Sequence, residues 1–132
     1  MTTTNPGPAI TSNPVPTGSV GNIQKQAILQ TASITPAAVS ANTTAQQSFT
    51  GVGLGTQPGD YLQSLALPGA FQAGLAIVNV TADATTNDKI TITFANLTAS
   101  PITPNAGSYT FEVSRPQPGD VVAAGSGYMN SF

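Results

Sequence analysis

The chain has 132 residues with no cysteine, no histidine and no tryptophan, and only 6% of them are charged, against roughly 25% in an ordinary soluble domain. Five acids and three bases give a formal net charge of −2, so no basic patch can be assembled for a phosphate backbone and nucleic acid is not an expected partner. The missing residue types exclude disulfides, Ser-His-Asp and Cys-His catalytic arrangements, and the usual zinc and copper sites.

The length suits one domain with tails. Weak net charge opposes association little, and a cysteine-free small chain can gain buried area by oligomerising. The first residues, Met1 to Asn5, have neither the basic nor the apolar region of a secretory signal, and no apolar run approaches the ~20 residues of a membrane span. Synthesis and assembly in the cytoplasm are therefore expected, with no membrane contact.

Residues 1–26 carry Pro6, Pro8, Pro14 and Pro16 with Gly7, Gly18 and Gly21 between them, and few large apolar side chains. Each proline fixes its own φ and pushes the preceding residue toward extended geometry, so an arm is predicted here, able to span on the order of 75 Å. Such an arm either stays disordered or orders along a neighbouring subunit, and Ile10, Val15 and Val20 are its candidate contact residues.

Residues 27–115 read as a β core. Short β-type runs are predicted at 27–34, 43–50, 60–65, 75–81, 89–95 and 108–114, separated by Gly, Pro and Asn. The alternation is clearest in Ile90-Thr91-Ile92-Thr93-Phe94 and Tyr109-Thr110-Phe111-Glu112-Val113, where branched and aromatic residues alternate with polar ones as a half-buried antiparallel strand requires. No stretch keeps a helical period for three turns, so any helix is short. The predicted fold is all-β, a small antiparallel β-sandwich or jelly-roll-like core with an extended N-terminal arm and C-terminal tail.

Turn chemistry links the runs. Asp83 to Asp88 reads as a hairpin connection, making the runs at 75–81 and 89–95 neighbours. Gln57-Pro58-Gly59-Asp60 is a turn, repeated almost letter for letter at 117–120, and Ile-Thr-Pro occurs at both Ile34 and Ile102. The offsets of the two repeats disagree, so they read as reused turn chemistry. Gly51-Val52-Gly53-Leu54-Gly55 lacks the Lys-Ser or Lys-Thr of a phosphate loop and reads as a flexible turn or bulge. Residues 116–132 form the tail, where Tyr128, Met129 and Phe132 either anchor in a groove on another chain or fold back onto their own domain.

Catalysis would have to rest on Asp60, Asp83, Asp88, Glu112 and Asp120. Most of these stand where turns and strand entries favour a carboxylate, so no catalytic residue, cofactor site or metal site is assigned. A calcium site of Asp83, Asn87 and Asp88 matches no EF-hand spacing. The sequons at Asn42, Asn79 and Asn96 are expected by chance in a chain this rich in Asn and Thr.

Three stretches carry a resemblance. They are Ala32-Ser33-Ile34-Thr35-Pro36-Ala37-Ala38-Val39 with Asn42-Thr43-Thr44-Ala45 and Phe49-Thr50; Gln72-Ala73-Gly74-Leu75-Ala76-Ile77; and Ile90 to Thr98 with Ile102-Thr103-Pro104 and Tyr109. Across roughly residues 32–115 the chain resembles the head decoration, or cement, proteins of tailed bacteriophages. Similar chains often carry a basic residue after the Gln-Ala-Gly-Leu segment, whereas this one has Asn79 and Thr81 there. The resemblance implies a β module on the virion surface, bound to major capsid protein and homo-oligomeric, with a trimer favoured. The alternative is a head-fibre, tail-associated or adhesin-like module that recognises host glycans, for which Tyr61, Phe71, Tyr109 and Tyr128 are the available aromatics.

Overall fold

The computed structural model describes residues 23–70 and 72–116. Six strands run β1 (Ile23–Gln30), β2 (Thr43–Thr50), β3 (Tyr61–Ala66), β4 (Leu75–Ala82), β5 (Lys89–Asn96) and β6 (Thr110–Pro116). The fold is all-β, with no helix among the described residues. All six strands join one sheet in the order β1-β6-β3-β4-β5-β2, and the recorded ladders are antiparallel. Pairing therefore gives a single sheet, and the layer packed on its inner face is built from loops.

The alternation seen in the sequence sets the two faces. Ile90, Ile92 and Phe94 of β5 point inward and are almost fully enclosed, as are Phe111 and Val113 of β6 and Val80 of β4. Opposite them the connecting segments contribute Ile34, Val39, Val52, Leu54 and Tyr109 to the same cluster. Tyr109 stands edge-on to Phe94 and stacks on Phe111, each at 6.4 Å between ring centroids, and its hydroxyl donates to the Asn105 carbonyl at 2.7 Å. A buried phenol keeps such a partner because leaving it unpaired is costly.

The hairpin expected at Asp83–Asp88 joins β4 to β5, closed by the Asp83 amide on the Lys89 carbonyl at 2.9 Å, with Asp88 left-handed at φ 55°. The turn at Gln57–Asp60 is also formed: the Asp60 amide reaches the Gln57 carbonyl at 3.0 Å, and Gly59 at φ 93° takes the position where a turn with proline before it demands positive φ.

The strand limits differ from the sequence reading most in β1, which starts at Ile23 within the stretch expected to be the arm, and in β6, which is shifted two residues toward the C-terminus; β3 is shifted by one, and β4 and β5 each gain one residue. The run predicted over 27–34 ends as a strand at Gln30, because the amides of Thr31 and Ala32 turn away to the carbonyls of Tyr109 and Val52. That same exchange, completed by the Tyr109 amide on the Thr31 hydroxyl at 3.0 Å, delays β6 to Thr110.

The segments that the two Ile-Thr-Pro tripeptides open, 34–39 and 102–107, are paired antiparallel. Ile34 bridges Gly107 and Val39 bridges Ile102, each through two reciprocal hydrogen bonds of 2.8 to 3.0 Å. Pro36 and Pro104, both buried, offer no N–H between the bridges. Side-chain amides complete the middle of the pair from its two sides. Gln47 both donates to and accepts from the backbone of Ala37, at 2.8 and 2.7 Å. Gln72 donates to Thr103 and accepts from Asn105, at 2.8 and 3.1 Å.

Candidate functional site

The described carboxylates are all engaged in holding loops and strands. Asp60 is almost fully buried and takes two hydrogen bonds of 2.8 Å from the Arg115 guanidinium and one of 2.9 Å from the Gln57 amide. Arg115 also donates to the Gly55 carbonyl at 3.1 Å, so this fork ties the 55–60 turn to β6, and its hydrogen bonds to Asp60 raise its pKa further. Asp83 accepts from the amides of Thr85 and Thr86 and from the Thr85 hydroxyl, and lies 3.5 Å from Lys89. Those two amides, chiefly, hold its carboxyl well below the usual carboxylate range. Glu112 accepts from the Gln26 side chain at 2.9 Å, and Asp120 lies outside the described residues.

Asp88 reaches back to the glycine-rich segment, accepting from the amides of Gly53 and Gly55 at 2.9 Å each. Gly51, Gly53 and Gly55 all have positive φ, and the alternating Val52 and Leu54 are buried. The segment is thus the turn expected there, and it forms a seat for a carboxylate. The Asp83 and Asp88 carboxylates therefore serve different backbone segments, and among the described residues no group of three or more His, Cys, Asp or Glu could hold a metal ion. Of the sequon asparagines, Asn96 is buried, donating to the carbonyls of Val39 and Ser100 and accepting from Thr98.

The outer face of the sheet carries the accessible chemistry. One line of register crosses five strands through Ser48, Thr91, Thr81, Tyr61 and Ser114, so five hydroxyl side chains stand in a row. Ser48 and Thr91 are hydrogen-bonded to each other at 2.8 Å, a cross-strand pair of the kind that stabilises a solvated face. The adjoining row places Gln46, Thr93 and Asn79 side by side. Tyr61 is 59% exposed. Tyr109 is buried in the core, so it cannot join an exposed aromatic cluster, and Phe71 and Tyr128 lie outside the described residues.

A second feature lies between β3 and β4. On its far side β3 pairs with β6 from Tyr61 to Ala66, and β4 pairs with β5 from Leu75 to Ala82. Between β3 and β4 the ladder holds one pair, Tyr61 with Thr81. Each strand also has a register shift, at Leu65 in β3 and at Val78 in β4. A bulge bends its strand and re-aims the extra side chain. Here the two extra residues flank the same opening and are 46% and 60% exposed. The cleft holds adjoining hollows of about 260 Å³ beside Leu62, Gln63 and Asn79 and about 440 Å³ beside Leu65, Leu67 and Ala76, with Ser64 and Ile77 common to both.

The six contact residues expected from the sequence, Ile10, Val15, Val20, Tyr128, Met129 and Phe132, lie outside the described residues. Missed in the sequence were the row of hydroxyls, which depends on register between strands, and the cleft. The cleft did leave a signal, because Leu62 to Leu65 and Ile77-Val78 both break the period of two. Among the described residues no helix is long and apolar enough to cross a membrane. No known family, no curated protein and no solved structure matches the chain.

Proposed function

We propose that the chain is a structural virion protein that binds the outside of a tailed-phage capsid and cements neighbouring capsomers, and that it is not an enzyme. The observation that carries this reading is the outer face of the sheet: a wide surface rich in Ser, Thr, Gln and Asn, with exposed apolar side chains at Ile28, Tyr61, Leu65 and Val78. Such a face loses little desolvation energy on meeting another neutral protein surface and keeps partners for its hydroxyls there. The described carboxylates are occupied with loop and strand contacts, and the resemblance over residues 32–115 supplies the class of partner, major capsid protein. A homotrimer places three copies of the face against adjoining capsomers, and binding through several contacts on one chain raises overall affinity.

Co-sedimentation of the purified protein with phage heads stripped of accessory proteins tests the reading. Saturable, stoichiometric binding is expected, and a protein that leaves the heads bare contradicts it. The second reading, a head-fibre, tail-associated or adhesin-like module for host glycans, draws support from the same hydroxyl row beside exposed Tyr61, since hydroxyls and one aromatic face suit a sugar. Selective binding on a glycan array, lost in Tyr61→Ala, would put it first.

A further inference from the structure

We propose that the cleft between β3 and β4 receives residues 119–132 of a second copy of this chain, laid in as an added strand. The proposal deepens the self-association in the reading above and does not depend on capsid binding.

The cleft has what an added strand needs. Past the single Tyr61–Thr81 pair, residues 62–66 of β3 and 75–80 of β4 face each other without a ladder. Strand edges left open in this way are templates for another chain. Five residues of β3 span about 16 Å at ~3.3 Å per residue, room for a five- or six-residue strand. The hollows are lined by apolar and neutral polar residues, with no charged side chain.

Residues 119–132 suit that site and residues 1–22 do not. From Gly119 onward there is no proline, so every residue can donate to a ladder, and after Asp120 no side chain is charged. Val121, Val122, Tyr128, Met129 and Phe132 supply strand-favouring and apolar side chains. Residues 1–22 contain four prolines, each of which would interrupt the ladder.

The direction of β6 selects a second copy. Ser114 lies beside Tyr61, so β6 runs out of the sheet at the end where the cleft is pinched shut by the Tyr61–Thr81 pair. The same molecule's own continuation starts at that closed end and would have to double back along the whole length of the cleft, about 16 Å, before it could be laid in. A segment from another molecule enters from the open end, beside Ala66 and Leu75.

The test uses the full-length chain, which has no natural cysteine. Leu65→Cys and, separately, Gln63→Cys are labelled with a benzophenone and mixed with unlabelled, isotopically heavy wild-type protein. Thr44→Cys on β2 serves as a control position. Irradiation followed by mass spectrometry should give heavy–light products joining positions 63 and 65 to residues 117–132, absent for position 44. Introducing Val122→Pro and Tyr128→Pro together in the heavy chain should cut their yield at least fivefold. Light-only products, attachment elsewhere, or no cross-link from either position would overturn the proposal. Cross-linking as expected by a protein that fails to bind stripped heads would leave it standing and remove the capsid reading alone.

Discussion

The two sides of β4 obey different rules. Against β5 the strand keeps seven register pairs and passes its bulge at Val78 without losing the ladder, whereas against β3 it keeps one. The difference lies in what stands behind each seam. Ile90, Ile92 and Phe94 pull β5 onto a filled core, and β2 holds its other edge through eight pairs. On the β3 side both strands are bulged, and the extra residues, Leu65 and Val78, face outward instead of inward. Core packing closes one seam, and paired irregularities leave the other open.

Substitutions on the two seams should separate widely. Phe94→Ala, which empties a 1%-exposed site, should cost about 3–5 kcal/mol in denaturant unfolding. Leu65→Ala at the open seam should stay within about 0.5 kcal/mol. Comparable losses at the two positions would mean that the seams are equally packed. Next in size, Asp60→Asn removes the charge from a buried fork with Arg115 and should cost about 3 kcal/mol, read in the same way.

Gln47→Ala, which strips both side-chain hydrogen bonds from Ala37, should cost about 1 kcal/mol. Local hydrogen exchange near Ala37 and Ile102 should report it. The smallest effect concerns pH. The Asp83 carboxyl has a folded value below its unfolded ~3.9. Its stabilising effect is therefore fully present above about pH 4 and is lost as pH falls through the depressed folded value. The Thr85 and Thr86 amides should lose protection only in strong acid, and loss already at pH 5 would show that the carboxylate does not hold the turn.

Much of the sheet was readable in the sequence because the signals are local. The span of β2 is the run expected, and β4 and β5 each extend it by one residue. The Asp83–Asp88 hairpin announced itself through turn residues. What escaped depends on partners far along the chain. Nothing near Ile34 says that its mate is Gly107, although the repeated Ile-Thr-Pro was visible and the segments that the two copies open pair with each other. The Gly51–Gly55 segment was legible as a turn, but its partner, Asp88, was not, because it arrives from another turn. Tyr109 looked available to a ligand, but the loop carrying Asn105 covers it and accepts its hydroxyl. The outer hydroxyl row could not be read before the register of five strands was known.

The contrast between the seams is tested most directly by amide hydrogen exchange on the full-length protein at low concentration, where association is weakest. Slow exchange is expected at the paired amides of β5 and fast exchange at those amides of residues 62–66 and 76–79 that face the cleft, with protection of the latter appearing as concentration rises. Equal, concentration-independent protection on both sides of β4 would contradict the contrast.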